Sequence, residues 1–522
     1  MNPSATVRDP GRREFLRQGA GLGVLALLPG ALGAAGPAPT AAPGGFSPYE
    51  AGNRAQLFVD DFLIAASARV SRTAHLATKH PGNPLVVADQ PWERAVQMYG
   101  DVLYDDEERR FKMWYIADTG ELYDQRYNTC YATSPDGIRW EKPLPGTVPS
   151  RTGAPTNVVM RSVELPSVFK DPAEPDPARR YKAICWIDGG PDRGALTMVS
   201  PDGVRWSRCS PGRIFECSDV VTGFHDRVRG RYVALAKDFA ELRGNRRRVF
   251  KVSTSEDFVH WTDPQPALYP DLRDDAGSLG RIERVRGLLC GLPDDPQAMR
   301  TEFYGAGFYP AESATLVFPW IFTINRNNTT TSSSNEGSIE VHLGVTRDLR
   351  TWERPFRASC LPLGGAGDWD EGMVMTQGRA FRVGDEIRLY YSGFPYLHGH
   401  NQPGGGIGLA RWPLDRFVSV DGPEAGGTLT TIPLTFAGDR LELNAAVAAG
   451  GALTVEPVDL LGRPLPGFGP SEPVEGDALR HAVRWRHGQI GRLQGRPVCL
   501  RFNLRRAQLF TFAFRGGAAA AG

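Results

Sequence analysis

Two stretches of this 522-residue chain put carboxylates in corresponding places. They are "YGDVLYDDEERRFKMWY" (99–115) and "VFKDPAEPDPARRYKAICW" (168–186). Each has a lone aspartate, an acidic turn, an Arg-Arg-aromatic triplet and an apolar run. Asp101, Asp106, Arg109, Arg110 and Phe111 match Asp171, Asp176, Arg179, Arg180 and Tyr181 at a constant offset of 70 residues. Asp106 and Asp176 read as turn residues. Asp101 and Asp171 precede an apolar strand without needing to cap it, so they are candidates for chemistry. A third stretch, "IFECSDVVTGFHDRVRGRYVAL" (214–235), adds Glu216 and Asp219 near the same rim. "TEFYGAGFYPAES" adds Glu302 and Glu312, and "GDWDEGMVM" adds Asp370, Glu371 and the flat face of Trp369. "YLHGHNQPGGG" places His398 and His400 in a Gly-rich loop. Acidic groups gathered around one concave site shift one another's pKa values, so one stays protonated while another stays ionised. Cleavage of a glycosidic bond needs that division: an acid for the leaving oxygen and an anion for the attacking water or the sugar carbon. On this reading Asp101, Asp171 and Glu216 are the catalytic candidates. Asp219, Glu302, Glu312, Trp369, Asp370, Glu371, His398 and His400 are the substrate-contact candidates. Two alternating histidines supply too few ligands for a metal, and no Cys/His spacing resembles a zinc site, so neither metal nor cofactor is expected.

Convergence of these groups requires a repeated element. "YATSPDGIRWEKP", "MVSPDGVRWSR", "VSTSEDFVHWTDP" and "GVTRDLRTWERP" each combine a short strand, a Ser/Thr-x-Asp or Thr-x-Asp-like turn and a Trp. The aspartate caps its own backbone two residues on, and the Trp (140, 206, 261, 352) covers the turn. Apolar runs follow polar turns at "RRFKMWYIA", "RRYKAICWID", "GRYVALAKD", "SATLVFPWIF" and "EIRLYYSGF". Such units are those of radial β-sheets, and the fold class expected is all-β: a five-bladed β-propeller over 53–420 followed by a C-terminal β-sandwich over 421–515, with a tail at 516–522. In a propeller the innermost strand of every blade lines one channel, so equivalent side chains meet there. The sandwich either binds carbohydrate or braces the propeller.

The charge is balanced, with 60 basic and 59 acidic residues, which gives no electrostatic reason to expect nucleic acid as a partner. "GRREFLRQGAGLGVLALLPGALGAAG" pairs Arg12 with Arg13 ahead of a Gly-rich apolar run broken by Pro29. It resembles a twin-arginine export signal (1–35), followed by a linker (36–52), which implies the twin-arginine export machinery as a partner and a periplasmic or secreted protein without a membrane span in the mature chain. Seven cysteines form no dense framework; Cys209 and Cys217 are close enough to be a candidate pair.

The residues resemble the five-bladed-propeller glycoside hydrolases, especially the family 32 N-terminal-domain group and its family 43 relatives. "FKDPAEPDPARRYKAICW" is similar to that family's Arg-Asp-Pro element, with Lys170 in place of Arg. "FECSDV" is similar to its Glu-Cys-Pro-Asp element, with Ser218 in place of Pro. The resemblance implies that Asp171 stabilises the transition state and that Glu216 is the general acid/base. The family's Trp-Met-Asn-Asp-Pro nucleophile element is missing; "MYGDVLYDD" stands there, and Asp101 is the candidate by position alone. The expectation is an exported glycosidase acting on an oligo- or polysaccharide. The alternatives are a carbohydrate-binding propeller without catalysis and a protein-interaction propeller.

Overall fold

The computed structural model describes residues 47–516 apart from 124, 188–190, 291–297, 328–334 and 401–403. The expected export signal and the linker up to residue 46 lie outside the described residues. The described chain is almost entirely β. Its first three sheets are antiparallel meanders of four strands, each running in chain order. They begin with the strands Ala95–Asp105, Val163–Lys170 and Val221–Asp226. The next strands join an eleven-stranded sheet containing two further meanders, which begin at Arg300–Pro310 and Met373–Thr376. The short strand Thr78–Lys79, from the start of the chain, pairs with Gly406–Pro413 and ends that sheet.

The strands' sequences explain their placement. From Phe111 onward every residue of Arg110–Asp118 is buried, as is nearly all of Tyr181–Ile187. Strands covered on both faces read as continuous apolar runs rather than as polar–apolar alternation. The Ser-x-Asp turns work as their residue types demand. Ser134 Oγ accepts from the Gly137 N–H at 2.8 Å, and Asp136 Oδ1 accepts from Ile138 and Arg139 at 2.8 Å. Ser200–Asp202 and Ser255–Asp257 repeat the pattern. The fourth turn keeps the aspartate, Asp348, and uses Thr346 for the hydroxyl. In three of the four, the Trp indole N–H donates back to the turn, to Gly203, Phe258 and Leu349.

Residues 49–74 depart from the expected boundaries. Tyr49–Gly52, expected in the linker, is a strand that pairs parallel with Leu434–Phe436. Gln56–Leu57, Ile64–Ala68 and Ser71–Ala74, expected in the propeller, join the C-terminal strands in an eight-stranded sheet. Its centre is the long pair Arg440–Val458 and Cys499–Arg515, over a core of its own that includes Leu443, Val455, Phe502 and Phe512. Sequence neighbours of the first meander are thereby tied to the end of the chain. All seven cysteines are free, so Cys209 and Cys217 are not bonded; burial pushes the Cys217 thiol up to about 12. Among the described residues no helix is long and apolar enough to cross a membrane.

Candidate functional site

The repeated aspartates resolve differently from the sequence offset. Asp105, not Asp101, is the counterpart of Asp171. Tyr104 faces Phe111 and Lys170 faces Tyr181 across equivalent hairpins, so the next residue outward is Asp105 in one and Asp171 in the other. The second hairpin loop is four residues longer, and it includes the turn Pro177–Arg179. That insertion shifts the apparent alignment onto Asp101. Both true counterparts clasp neighbouring sheets together. Asp171 Oδ2 accepts from Lys182 Nζ (3.1 Å) and from Tyr232 Oη of the next sheet (2.9 Å). Asp105 takes Lys112 at 3.0 Å, Lys170 at 2.8 Å and the Tyr181 hydroxyl of the next sheet. Burial alone would raise the Asp171 carboxyl; the Tyr232 and Lys182 bonds more than offset it and hold it below its ordinary value.

Asp101 is wholly buried midway along its strand, opposite Trp114. Ser167 (opposite Ile184) and Thr222 (opposite Leu235) occupy the same register in the next two sheets and are likewise fully buried. Burial pushes the Asp101 carboxyl up to about 8 against the pull of the Arg379 guanidinium. Glu216 points outward, with 80% of its side chain exposed and Arg213 at 3.6 Å. The expected convergence of Asp101, Asp171 and Glu216 is therefore absent. One is enclosed mid-strand, one closes a hairpin end and one faces solvent.

The first strands of the five meanders lie against one another in a closed circuit, and these innermost strands have a cavity at each end. The hairpin-end cavity, of about 1010 Å³, is lined by Asp60, His225, Asp226, Glu312, Arg347 and Arg379 among others. Three of its carboxylates are spoken for by guanidinium groups: Asp60 by Arg347 at 2.8 Å, Asp226 by Arg229, and Glu312 by Arg515 at 3.1 Å. Glu312 also accepts from the Ala55 N–H at 2.6 Å.

The strand-start cavity, of about 420 Å³, draws on all five meanders: Gln97 and Tyr99, Glu164, Asp219, Tyr304, and Met373 with Met375. Its shape comes from bulges in the innermost strands. Pairing slips between Gln97 and Asp101, between Glu164 and Ser167, and between Phe303 and Ala306. A bulge re-aims the extra residue, and here Tyr99 and Tyr304 turn into the cavity. Each is followed by a glycine with no room for a side chain. A Cβ at Gly100 would lie 1.9 Å from the Trp114 carbonyl oxygen, and one at Gly305 2.0 Å from the Trp320 ring. The two phenols are hydrogen-bonded to each other, and Tyr99 stacks on Trp320 at 5.6 Å.

Asp219 sits against this pair, with 39% of its side chain open to the cavity. Lys237 Nζ lies 2.6 Å from its Oδ1, and Ser218 Oγ donates to the same oxygen at 2.8 Å. Burial works to raise Asp219, but the Lys237 charge overcomes it and leaves the carboxyl ionised well below its ordinary range. Glu164 is the second carboxylate, close enough for its charge to raise Tyr99, Tyr127 and Tyr304. Asp118 is buried and held by Arg126 at 2.6 Å, and Arg126 spreads over the Tyr127 ring at 5.3 Å. His398 Nδ1 donates to the Asn335 carbonyl at 2.7 Å, so Nε2 accepts from Tyr304 Oη at 3.3 Å. Burial lowers His398 to about 4, which keeps it neutral at pH 7. The arrangement offers one firmly ionised carboxylate, a second carboxylate among phenols, the guanidinium groups of Arg94 and Arg126 and the aromatic faces of Tyr127, Phe394 and Tyr396.

Of the expected contact residues, Asp219 and His398 line this cavity. Glu302 lies behind its wall, fully buried between Arg248 (2.5 Å) and Arg300 (2.7 Å); Arg248 in turn covers the Tyr304 ring. Glu312 lines the opposite cavity. Asp370 is buried under Lys79 (2.6 Å) and Tyr391 (2.9 Å), Trp369 packs on Tyr391 at 5.5 Å, and Glu371 accepts from the Gly367 N–H at 2.8 Å within its own loop. His400 turns away from the cavity toward Glu336, 2.9 Å from its Oε1. Glu164, Asp118 and Arg126 were missed by sequence reasoning. The available signal was the recurrence of Tyr-Gly in "MYGDV" and "FYGAG", which marks the bulges that open the cavity.

No family model and no curated protein matches this sequence. Solved structures do match. A putative glycoside hydrolase from Bacteroides ovatus has 12% identity and a TM-score of 0.41 over 65% of this chain and 97% of its own. A β-1,2-mannobiose phosphorylase from Listeria innocua has 13% identity and 0.41 over 65% and 98%. The Bombyx mori GH32 β-fructofuranosidase has 9% identity and 0.36 over 85% and 96%. At these scores the likenesses assign no activity to this chain, which the residues of its cavities must carry.

Proposed function

We propose that this chain is an exported five-bladed β-propeller with a bracing C-terminal β-sheet region, and that it cleaves a glycosidic bond in the strand-start cavity. The observation that carries the reading is the joint presence of Glu164, on the strand Val163–Lys170, and Asp219, just ahead of the strand Val221–Asp226, around the Tyr99–Tyr304 pair in one cavity. Five meanders contribute to that cavity, which supports the blade count, and the Arg12–Arg13 segment supports export. A volume of about 420 Å³ suits a short saccharide end rather than a long glycan lying across a face. Asp219, held ionised by Lys237, serves as the anion facing the sugar carbon or the attacking water, and Glu164 serves as the proton donor to the leaving oxygen. Arg94, Arg126 and Gln97 orient hydroxyls, and the ring faces of Tyr127 and Tyr396 carry the apolar side of a pyranose.

The tight Lys237–Asp219 contact favours a second reading, a carbohydrate-binding site without turnover. A screen of aryl glycosides and oligosaccharides against the wild type, Glu164→Gln and Asp219→Asn separates the two. Turnover that falls by on the order of 10²–10⁴-fold in both variants, with folding intact, supports catalysis. Binding without turnover in the wild type supports the second reading. Turnover unchanged in both variants removes this cavity from the mechanism.

A further inference from the structure

We propose that Cys290, Glu336 and His400 bind one zinc-type divalent cation, which fastens the loop carrying His398 to the strand Asn335–His342. The three residues come from distant parts of the sequence, yet their ligand atoms all lie within 4.8 Å of one another. Cys290 Sγ is 3.3 Å from His400 Nε2, and His400 Nε2 is 2.9 Å from Glu336 Oε1. Tetrahedral zinc, with bonds of about 2.3 Å to sulfur and about 2.0 Å to nitrogen or oxygen, sets such separations at roughly 3.3–3.6 Å. A widening of a few tenths of an ångström brings the two His400 contacts to those separations.

The donor set is prepared from outside. Asn325 Nδ2 (2.8 Å) and Arg326 Nε (3.1 Å) hold Glu336 Oε2, which turns Oε1 toward His400 and Cys290. Glu336 is fully buried, whereas Cys290 is exposed and leaves a side open for a water as fourth ligand. Thiolate, carboxylate and neutral imidazole neutralise a dication. Binding displaces the thiol proton to solvent, so affinity rises with pH. The consequence reaches the cavity: the His398 N–H donates to the Gly337 carbonyl at 3.0 Å, next to Glu336, and His398 and Gly399 line the cavity wall. Fixing His400 fixes the wall that presents His398.

The test is titration of the chelator-treated full chain with Co²⁺. The expected result is one equivalent bound, with a sulfur-to-cobalt charge-transfer band in the near ultraviolet that Zn²⁺ abolishes by displacement. Cys290→Ser should lose the band, His400→Ala should weaken uptake by about tenfold or more, and Cys209→Ser should behave as wild type. Far-ultraviolet circular dichroism on each variant checks that the fold persists. Absence of saturable uptake, or an unchanged band in Cys290→Ser, overturns the proposal.

Discussion

The two ends of the innermost strands use the same groups for opposite purposes. At the hairpin end, Asp171 meets Lys182 and Tyr232 and is covered by them. At the strand-start end, Asp219 meets Lys237 beside Tyr304 and stays partly open to a cavity. A carboxylate with a lysine and a nearby phenol is thus no signature of function by itself. What differs is the backbone: regular pairing runs up to Asp171, whereas slipped pairing along the strands at the other end leaves space for a ligand. Repetition along the chain belongs to the clasp, because every sheet must be joined to the next. The bulges that open the cavity recur, but its two carboxylates, Glu164 and Asp219, stand at positions that do not repeat as acids.

Substitutions at the two ends should therefore separate stability from turnover. The largest stability effect is expected from Asp171→Ala, which takes the acceptor from the Tyr232 hydroxyl and one of two carboxylates from buried Lys182, leaving it Glu174 at 2.8 Å; the cost is on the order of 3 kcal/mol. Chemical denaturation should register that loss, while turnover measured well below the melting temperature stays near wild type. Gly305→Ala should cost about 1–3 kcal/mol by driving a methyl group into the Trp320 ring, and should raise KM as Tyr304 is displaced.

The pH dependence offers a subtler contrast, because the two sequence-matched aspartates shift in opposite directions. The Asp171 carboxyl is lowered on folding, so its stabilisation is present at neutral pH and is lost as pH falls below about 4. Asp101 is raised to about 8, so its contribution is present in acid and declines as pH rises from about 4 towards 8. Asp101→Asn should flatten that decline, whose slope approaches about 1.4 kcal/mol per pH unit, in denaturation series run across the interval. The smallest effect is expected from Glu216→Gln, an exposed change that should alter stability by less than about 0.5 kcal/mol and leave turnover unaltered.

Much of the β architecture was legible because its signals are local. Ser-x-Asp turns, the covering Trps and the continuous apolar runs each report their structure within a dozen residues. The pairing of residues 49–74 with the far end of the chain was not legible, since nothing in "AQLFVDDFLIAASARVSRTA" names its partner strand. Of the residues expected to contact substrate, Asp219 and His398 line the strand-start cavity. Glu164 carries no local signal: it stands in "RSVELPSV", without an acidic neighbour or a turn. Asp101 was misplaced because an offset counted from the Arg-Arg triplet takes no account of a loop longer by four residues. The sequence neighbours of His400 name no partner for it, because Cys290 and Glu336 reach it only through the fold.

The central claim is that the working end of the channel is the strand-start cavity. The direct test is the turnover of Asp219→Asn beside Glu312→Gln, one substitution in each cavity, on whichever glycoside the wild type cleaves. The account predicts that Asp219→Asn loses at least about a hundredfold while Glu312→Gln retains wild-type kcat/KM. Loss in Glu312→Gln with retention in Asp219→Asn would contradict it and move the chemistry to the opposite end.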